Sequence, residues 1–462
     1  MKNKFNLRNI TLLMGLAISL TATVFTGCKK DEDNEETTPG NVVNFTQTTL
    51  SDGTIQIEGS SNQNVTLLST ETYLLKGFVY VEEGGNITIQ PGTIIKGDKA
   101  SKGTLIIKRG GKINAAGTAS DPIIFTSAED AGSRNPGDWG GVIICGKAPI
   151  NLDGGEGQIE GGPDALYGGA DAADNSGVFK YVRIEYAGIP FQPNQEINGL
   201  TLGGVGNGTT IEYVQISYSG DDSFEMFGGT VNIKHLISFK TTDDDLDTDN
   251  GYLGKIQFAV VLRDANIADV SGSNGFESDN DANGSALTPQ TKAIFSNISI
   301  FGPKQDTADV VNSNFKRGAH LRRNTATCIY NSLIAGYPVG LLVDGSASEG
   351  NASADVLQVR NTVIAGCNTP LATASGSGFD ISAWYNMAAY GNSIQYSSAG
   401  IANAPYASTP DFLPAAGSVL LSGADFTPSN LSGLEVVTYR GAFGTTDWTS
   451  GWANWDPQNT TY

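Results

Sequence analysis

The chain has 462 residues with 58 glycines and only 16% charged residues, a composition that favours an all-β, turn-rich protein over a helical one. Its formal net charge of −20 argues against nucleic acid as a partner, because binding there depends on lysine and arginine neutralising phosphates. Only two histidines are present, His235 and His320, so zinc sites and histidine-based catalytic triads have few candidate residues.

Residues 1–27 have a basic start and an apolar stretch, which is the pattern of a targeting segment. The segment ends in Gly27 followed by Cys28 and resembles a bacterial lipobox, although Phe25 stands where leucine is usual. The resemblance implies that Cys28 becomes the first mature residue and carries lipid, which would anchor the protein to a membrane. The alternative is an ordinary secretory signal.

Residues 28–45 are predicted to form a flexible acidic tether. Residues 31–36 are acidic apart from one asparagine, and threonine and proline follow, so the stretch cannot bury apolar surface. The acid-rich run also resembles the export signal that follows the lipidated cysteine in surface lipoproteins of the Bacteroidota. That resemblance implies an outer-membrane lipoprotein exposed on the cell surface.

From Tyr73 onward, short runs rich in β-branched residues alternate with glycine-containing turns, which indicates strands rather than helices. The pattern repeats: residues 181–188 match residues 213–220, and residues 331–336 match residues 361–366. Such repeats are typical of a solenoid, in which one coil takes about 20–45 residues. Stacked coils pair their strands in parallel and enclose a column of apolar side chains, so the sequence predicts a parallel β-solenoid.

Four glycine-containing segments carry a resemblance to a known family: residues 92–97, 138–141, 200–206 and 227–230. They resemble the right-handed parallel β-helix, or pectin-lyase-like, superfamily, and in particular an uncharacterised group of β-helical surface lipoproteins of the Bacteroidota type. The resemblance covers about residues 70–370 and implies an all-β, right-handed parallel β-helix. The main alternative fold is a β-propeller, but the WD or kelch signatures of its blades are absent from the sequence.

The predicted segments are a lipoprotein signal peptide (1–27), the tether (28–45), a parallel β-helix (46–370) and C-terminal coils with a cap and a Trp-rich tail (371–462). A short amphipathic helix is expected within residues 379–390, with Asp380 as its N-cap. The Trp-rich tail is expected to close the last coil, because a solenoid end otherwise offers an open strand edge. An exposed aromatic platform for sugar is the alternative for this tail.

A short acidic pattern recurs at residues 222–225, 244–247 and 274–277. Each copy has a polar or acidic residue, a bulky apolar residue and a carboxylate in the same order. In a β-helix we expect Phe224, Leu246 and Phe276 to stack inward, with the carboxylates in a row along one edge. Because coils lie about 4.8 Å apart, these carboxylates would repel unless protonated, paired with a base or bridged by a cation.

A hard cation such as Ca²⁺ would relieve this repulsion, because it binds carboxylate and amide oxygens. Residues 245–249 and 279–284 have the alternation of oxygen ligands that begins a calcium loop, but Gln290 stands where an EF-hand has glutamate. The predicted calcium ligands are Asp245, Asp247, Asp249, Asp279, Asp281 and Asn283. The alternative is an acidic row satisfied by water and backbone N–H groups.

The acidic stretch is followed by a basic run. Residues 319–322 occupy the pattern of residues 274–277 on what would be the next coil. On that alignment Arg322 stands near Glu277 and neutralises part of the row. Binding of a substrate carboxylate is the alternative role for this run.

The superfamily includes enzymes that cleave acidic polysaccharides, so the resemblance also implies catalytic candidates, which are Asp222, Asp244 and Arg263. Of the polygalacturonase motifs, however, only the Asp-Asp pair is present. Fold alone does not establish an activity. We therefore expect a non-catalytic surface protein that binds a glycan or protein ligand. The alternatives are a polysaccharide lyase or glycoside hydrolase and a purely structural envelope component.

Overall fold

The computed structural model describes residues 42–192 and 195–462. The predicted signal peptide, Cys28 and most of the tether lie outside the described residues. From Val42 onward the chain forms one compact unit. Neither α-helix in the described ranges is long and apolar enough to cross a membrane.

This unit is a right-handed parallel β-helix, which confirms the predicted fold class. Successive coils contribute strands to three parallel sheets, named A, B and C. Sheet A contains Thr104–Ile107, Gly141–Cys145, Leu200–Gly203, Phe224–Phe227, Leu246–Asp249, Phe276–Ser278, Arg317–Leu321, Val339–Val343 and Thr369–Thr373. Sheet B contains Asn64–Leu67, Asn86–Ile89, Lys112–Ala116, Cys328–Tyr330 and Gln358–Arg360. Sheet C contains Ile94–Gly97, Ile123–Ser127, Leu333–Ala335, Val363–Ala365 and Ser393–Gln395.

Longer strands turn a corner and belong to two sheets. From sheet C to sheet A run Ile55–Ser61 and Thr72–Val81. From sheet B to sheet C run Gly177–Glu185, Thr210–Ser217, Ile233–Phe239, Lys255–Leu262 and Ile294–Phe301. The short antiparallel pairs are Gly157–Gln158 with Leu166–Tyr167, Ile189–Gln192 with Gln195–Ile197, and Ala402–Ala404 with Asp411–Pro414. The helices are α1 (Ser346–Ser353) and α2 (Ile381–Tyr385), and the 3₁₀ turns are Asp153–Gly155, Ala388–Tyr390, Val419–Leu421 and Ser429–Leu431.

The core is the column of side chains that point inward from successive coils. In sheet A, Phe224 pairs with Leu246, Leu246 with Phe276, and Phe276 with Ala319, and all four side chains are buried. The predicted inward stack is therefore confirmed. Because side chains alternate along a strand, the next residue of each coil points outward on the same sheet. The core thus determines which side chains form the outer face.

Both ends of the column are covered. At the N-terminal end Thr46–Thr49 pairs antiparallel with Ile55–Ser61, which covers the first strand edge. At the other end α2 places Trp384 and Tyr385 against the core. The predicted N-cap is present, since the Asp380 side chain accepts a hydrogen bond from the Ala383 backbone N–H at 2.9 Å.

The corner between sheets B and C has a ladder of its own. Its residues adopt positive φ angles of 48° to 62°, a backbone conformation that residues other than glycine rarely adopt. The first four stack on one another and are named the aromatic ladder: Tyr181, Tyr213, His235 and Phe258. Asparagines take the same position in later coils: Asn297, Asn331 and Asn361. Stacking and asparagine side-chain bonds to other segments stabilise this bend.

Residues 401–462, named the tail, run back along this corner rather than over the last coil. The carbonyls of Asp425 and Tyr439 accept hydrogen bonds from Asn331 and Asn297. Nearer the C-terminus, the Pro457 carbonyl accepts a hydrogen bond from Arg134, far earlier in the chain. The structure therefore corrects the expected position of the Trp-rich tail. The aromatic rings of the tail pack against apolar side chains along the side of the β-helix, and α2 covers the C-terminal end of the core.

The sequence has an odd number of cysteines after Cys28, which predicts at least one free thiol. Cys145, Cys328 and Cys367 are all buried and unpaired. Burial raises the pKa of the Cys145 thiol to about 12, so this thiol is unreactive at neutral pH.

Candidate functional site

A ladder of Asn and Asp side chains runs along the entrance to sheet A. It is named the Asx ladder and consists of Asn198, Asp222, Asp244 and Asn274. The Oδ1 atoms of the first three residues each accept the backbone N–H of the following residue, at 3.2 Å for Asp222, 2.7 Å for Asp244 and 2.5 Å for Asn274. These bonds hold the turns of four coils in register, so the ladder has a structural role.

Three positions after each ladder residue, a side chain points outward from sheet A. The strand register aligns Glu225 with Asp247, and Asp247 with Glu277, and these three are named the acidic row. The register thus confirms that the repeated carboxylates stack on one face. It continues from Thr201 before the row to His320 after it.

The two ends of the acidic row differ in charge balance. At Glu277, His320 Nδ1 lies 3.2 Å from one carboxylate oxygen and Arg322 pairs with the other. Burial alone would raise the pKa of Glu277, but His320 and Arg322 outweigh it and lower this pKa. Arg322 also bonds Asp279 at 2.8 Å, and Arg323 does so at 2.7 Å. This end of the row is neutralised.

The predicted contact between Arg322 and Glu277 is therefore present, but the alignment behind it was wrong by two residues. Phe276 pairs with Ala319 and Glu277 with His320, so Arg322 lies two residues beyond its expected position. Its side chain still reaches Glu277.

At the other end, five carboxylates converge without a base. The oxygens of Asp221, Asp222 and Asp243 lie within 4.8 Å of one another, and so do those of Asp222, Glu225 and Asp247. These five residues are named the acidic site. In the described part of the chain, no lysine or arginine forms an ion pair with any of them.

Burial and mutual repulsion disfavour the ionised form of the carboxyl groups in the acidic site. Burial, followed by the charge of Asp244, raises the pKa of Asp222 well above its usual range. Burial and then Glu160 do the same for Glu225, and burial and then Glu277 for Asp247. Ionising all of these groups together therefore requires a compensating positive charge.

The structure separates the six predicted calcium ligands. Asp247 belongs to the acidic site, and Asp249 lies two residues further along the same strand. Asp279 is paired with arginines. Asp281 caps its own loop by accepting the backbone N–H of Asn283 at 2.8 Å. The two segments that resemble calcium loops, residues 245–249 and 279–284, therefore place their predicted ligands in different surroundings.

Asp245, the remaining predicted ligand, lies in the interior with Arg263. Arg263 Nη1 lies 3.2 Å from Asp245 Oδ1, and both side chains are fully buried. Arg263 also donates to the backbone carbonyls of Asp243 and Thr242. Burial raises the pKa of Asp245 to about 6, although Arg263 opposes this shift. Among the three catalytic candidates, Asp222 and Asp244 are neighbours on the Asx ladder, whereas Arg263 is committed to an internal ion pair.

The chain was compared with known proteins. The family model of the pectate-lyase-like β-helix domain matches residues 59–405. The chain belongs to this family. Comparison with curated proteins and with solved structures gives no match. Because one fold hosts many functions, membership of the pectate-lyase-like β-helix family does not by itself assign a function to this chain.

Sequence reasoning missed two contributors to the site. Asn198 begins a fourth copy of the acidic pattern, Asn-Gly-Leu-Thr, and its amide donates to Glu225. The repeated pattern was therefore visible in the sequence, but Thr201 stands where the other copies have a carboxylate. Glu160 lies in a long insertion before the repeats and also hydrogen-bonds Glu225. No periodicity places such a loop, so Glu160 could not be found from the sequence.

Proposed function

We propose that this protein is a lipid-anchored surface β-helix protein that binds a divalent cation, best fitted by Ca²⁺, at the acidic site. The cation completes a surface that holds a glycan or protein ligand without chemical conversion. The observation that carries the proposal is the convergence of two groups of carboxylates on the shared residue Asp222, with neither group paired to a lysine or arginine of the described residues.

The geometry of the acidic site fits calcium. Two oxygens bound to one Ca²⁺ ion can lie up to about 4.6–5.2 Å apart, which is twice the metal–oxygen distance. The carboxylate oxygens of both groups lie within 4.8 Å of one another. In addition, Asp243 Oδ1 and Asp247 Oδ1 are buried and have no hydrogen-bond partner among residues 42–192 and 195–462. A cation would supply the partner that these oxygens lack.

The surface location rests on the N-terminal sequence. Gly27 and Cys28 complete the lipobox-like segment, and the acid-rich run follows directly. Residues 29–41 would separate a lipid on Cys28 from the compact β-helix.

Binding is favoured over catalysis because the arginines beside the acidic residues are already engaged. Arg263 is held by Asp245 in the interior, and Arg322 by Glu277 and Asp279. Neither is free to stabilise a developing negative charge or to act as a base. One observation favours the alternative, a polysaccharide lyase or hydrolase: burial raises the pKa of Glu160 to about 7, which suits a general acid at neutral pH.

Calcium binding predicts a rise in the melting temperature of the EDTA-treated protein when Ca²⁺ is added. At a hundredfold excess over Kd the stabilisation is about 2.7 kcal/mol. Asp222→Asn removes a charge from both groups while an amide oxygen can still accept the Asp244 N–H, so this variant should respond far less. Asp130→Asn changes an exposed carboxylate away from the site and serves as the matched control. An equal response of Asp222→Asn and wild type would contradict the proposal.

Catalysis is tested separately. We expect no turnover of uronate polymers with Ca²⁺ present. Turnover that is lost in Asp222→Asn or in Glu160→Gln, with the fold intact by circular dichroism, would replace the binding function with the enzymatic one.

A further inference from the structure

A second site lies where the tail meets the turns that leave sheet C. The pocket there has a volume of about 730 Å³, within the range of about 300–1,000 Å³ usual for small-molecule sites. Aromatic rings form part of its wall: Tyr218, Phe239, Tyr406 and Trp455. None of the five carboxylates of the acidic site lines it, so it is a separate site.

The Trp455 side chain has a ring face and an indole N–H that its neighbours leave unoccupied. Its contacts with Phe239 and Phe412 are edge-to-face, with centroids 5.2 Å and 5.4 Å apart. No described ring stacks parallel on it. The other tryptophans donate their indole N–H to backbone carbonyls: Trp139, Trp384, Trp448 and Trp452. The Trp455 indole N–H has no acceptor in residues 42–192 and 195–462.

Polar groups face the same pocket. The Lys240 ammonium lies 3.7 Å from Asp264 Oδ2 and 4.9 Å from the centre of the Phe239 ring, and Asp264 Oδ1 accepts the backbone N–H of Asn266 at 3.0 Å. The ion pair is longer than the roughly 2.7–2.9 Å of a direct charged hydrogen bond, so the ammonium and Oδ2 can both bond a ligand. Gln305 is exposed, and within the described part of the chain its side-chain amide has no hydrogen-bond partner. The pocket therefore combines aromatic faces with hydrogen-bond donors and a carboxylate acceptor.

The charges of the lining residues exclude a strongly anionic ligand. Lys240 is the only accessible cation, because Arg263 is buried against Asp245. Asp264 and Asp456 add two negative charges. A ligand that stacks on aromatic rings and forms many hydrogen bonds, but carries no charge, matches this balance.

We propose that this pocket binds a neutral saccharide, with a sugar ring stacked on Trp455 and hydroxyl groups bonded by Lys240, Asp264 and Gln305. The inference deepens the proposed binding function by naming a ligand class. It rests on the proposed function only in assuming that the protein binds a ligand without converting it. Sugar binding at this pocket does not require the cation at the acidic site.

The test uses the full chain in EDTA with a panel of neutral gluco-, manno- and galacto-oligosaccharides. Saturation-transfer NMR identifies the bound sugar, and calorimetry measures its Kd. Trp455→Ala should weaken binding at least about tenfold, since an aromatic platform and one donor are lost. Gln305→Ala, which alters an exposed side chain, should weaken it about fivefold through one lost hydrogen bond. Tyr396→Ala removes an exposed aromatic outside the pocket and should leave Kd unchanged.

Three results would overturn the inference. The first is no binding of any neutral oligosaccharide by wild type. The second is equal affinity in wild type and Gln305→Ala. This comparison stays informative even if Trp455→Ala disturbs the packing of the tail. The third is binding that appears only with Ca²⁺, which would assign the sugar to the acidic site and leave the proposed cation function standing. Conversely, sugar binding in EDTA by a protein that shows no calcium response would support the pocket and refute the cation site.

Discussion

At the scale of single residues, two aspartates only two positions apart have opposite environments. Asp245 points into the interior and meets Arg263, whereas Asp247 points out from sheet A and meets other carboxylates. Asp245 lies in the turn before the strand, which begins at Leu246, so its side chain does not follow the alternation that points Asp247 outward. The sequence grouped both as calcium ligands, and only the direction of each side chain separates them.

The internal pair predicts a large loss of stability in Asp245→Asn. The change leaves the Arg263 charge buried without its counter-ion, which costs about 3–5 kcal/mol. Chemical denaturation measures the effect. Glu58→Gln breaks the exposed pair with Lys76 and should cost at most about 1 kcal/mol. If the two variants lost equal stability, the internal pair would not have the predicted importance.

The acidic residues also predict how stability depends on pH. Burial raises the pKa of Asp243 to about 6, and burial with Asp279 raises that of Asp249 to about 7. The folded state therefore keeps protons that the unfolded chain releases near pH 4. This contribution to stability is complete below pH 4 and is lost as pH rises through 6 to 7.

In EDTA we thus expect the melting temperature to fall between pH 5 and pH 8. Added Ca²⁺ should stabilise more at pH 8, where the carboxylates are ionised, than at pH 5. Differential scanning fluorimetry across this range checks both slopes. A melting temperature that climbs steadily with pH in EDTA would contradict the raised pKa values.

At the scale of elements, the aromatic ladder has a titratable member. His235 stacks between Tyr213 and Phe258 at centroid distances of 4.2 Å and 5.2 Å. Its Nδ1 is buried without a partner, and burial lowers the pKa of His235 from 6.5 to about 4. The neutral ring stabilises the fold above pH 6.5, and this contribution is lost as pH falls toward 4.

The variant His235→Phe should keep the stack and lose this sensitivity to acid. Its stability relative to wild type should rise as pH falls from 6.5 to 4, by up to about 1.4 kcal/mol for each pH unit. Urea denaturation at several pH values gives the comparison. Parallel pH profiles for the two proteins would show that His235 does not titrate as proposed.

The elements also show what a sequence can and cannot predict. Repetition revealed the coil length, the inward stack through Phe224 and Leu246, and the outward row of carboxylates. The alternation of side chains follows directly once the strand register is known. The tail and the insertion that contains Glu160 have no repeated sequence pattern, and the residues they contact are distant in sequence. Their positions could therefore not be predicted. The register of His320 was missed because the intervening turn differs in length from coil to coil.

At the scale of the whole molecule, the N-terminus predicts membrane attachment. Cys28→Ser should abolish incorporation of labelled fatty acid and move the protein from the membrane fraction to the soluble fraction. The reason is that acyl chains contribute about 0.8 kcal/mol for each buried methylene. The control Thr37→Ser, which leaves Cys28 intact, should keep both the label and the membrane location. Continued membrane association of the Cys28→Ser variant without lipid would contradict the anchor.

The returning tail also changes how the solenoid can come apart. In a stack of repeats each coil touches only its neighbours, so the ends can unravel one coil at a time. Here Asn331 and Arg134, which lie several coils apart, are bonded to the same continuous segment. Opening the coils around either residue must disturb a segment that is also docked on the other. The tail thereby couples distant coils, so that they unfold as one cooperative unit.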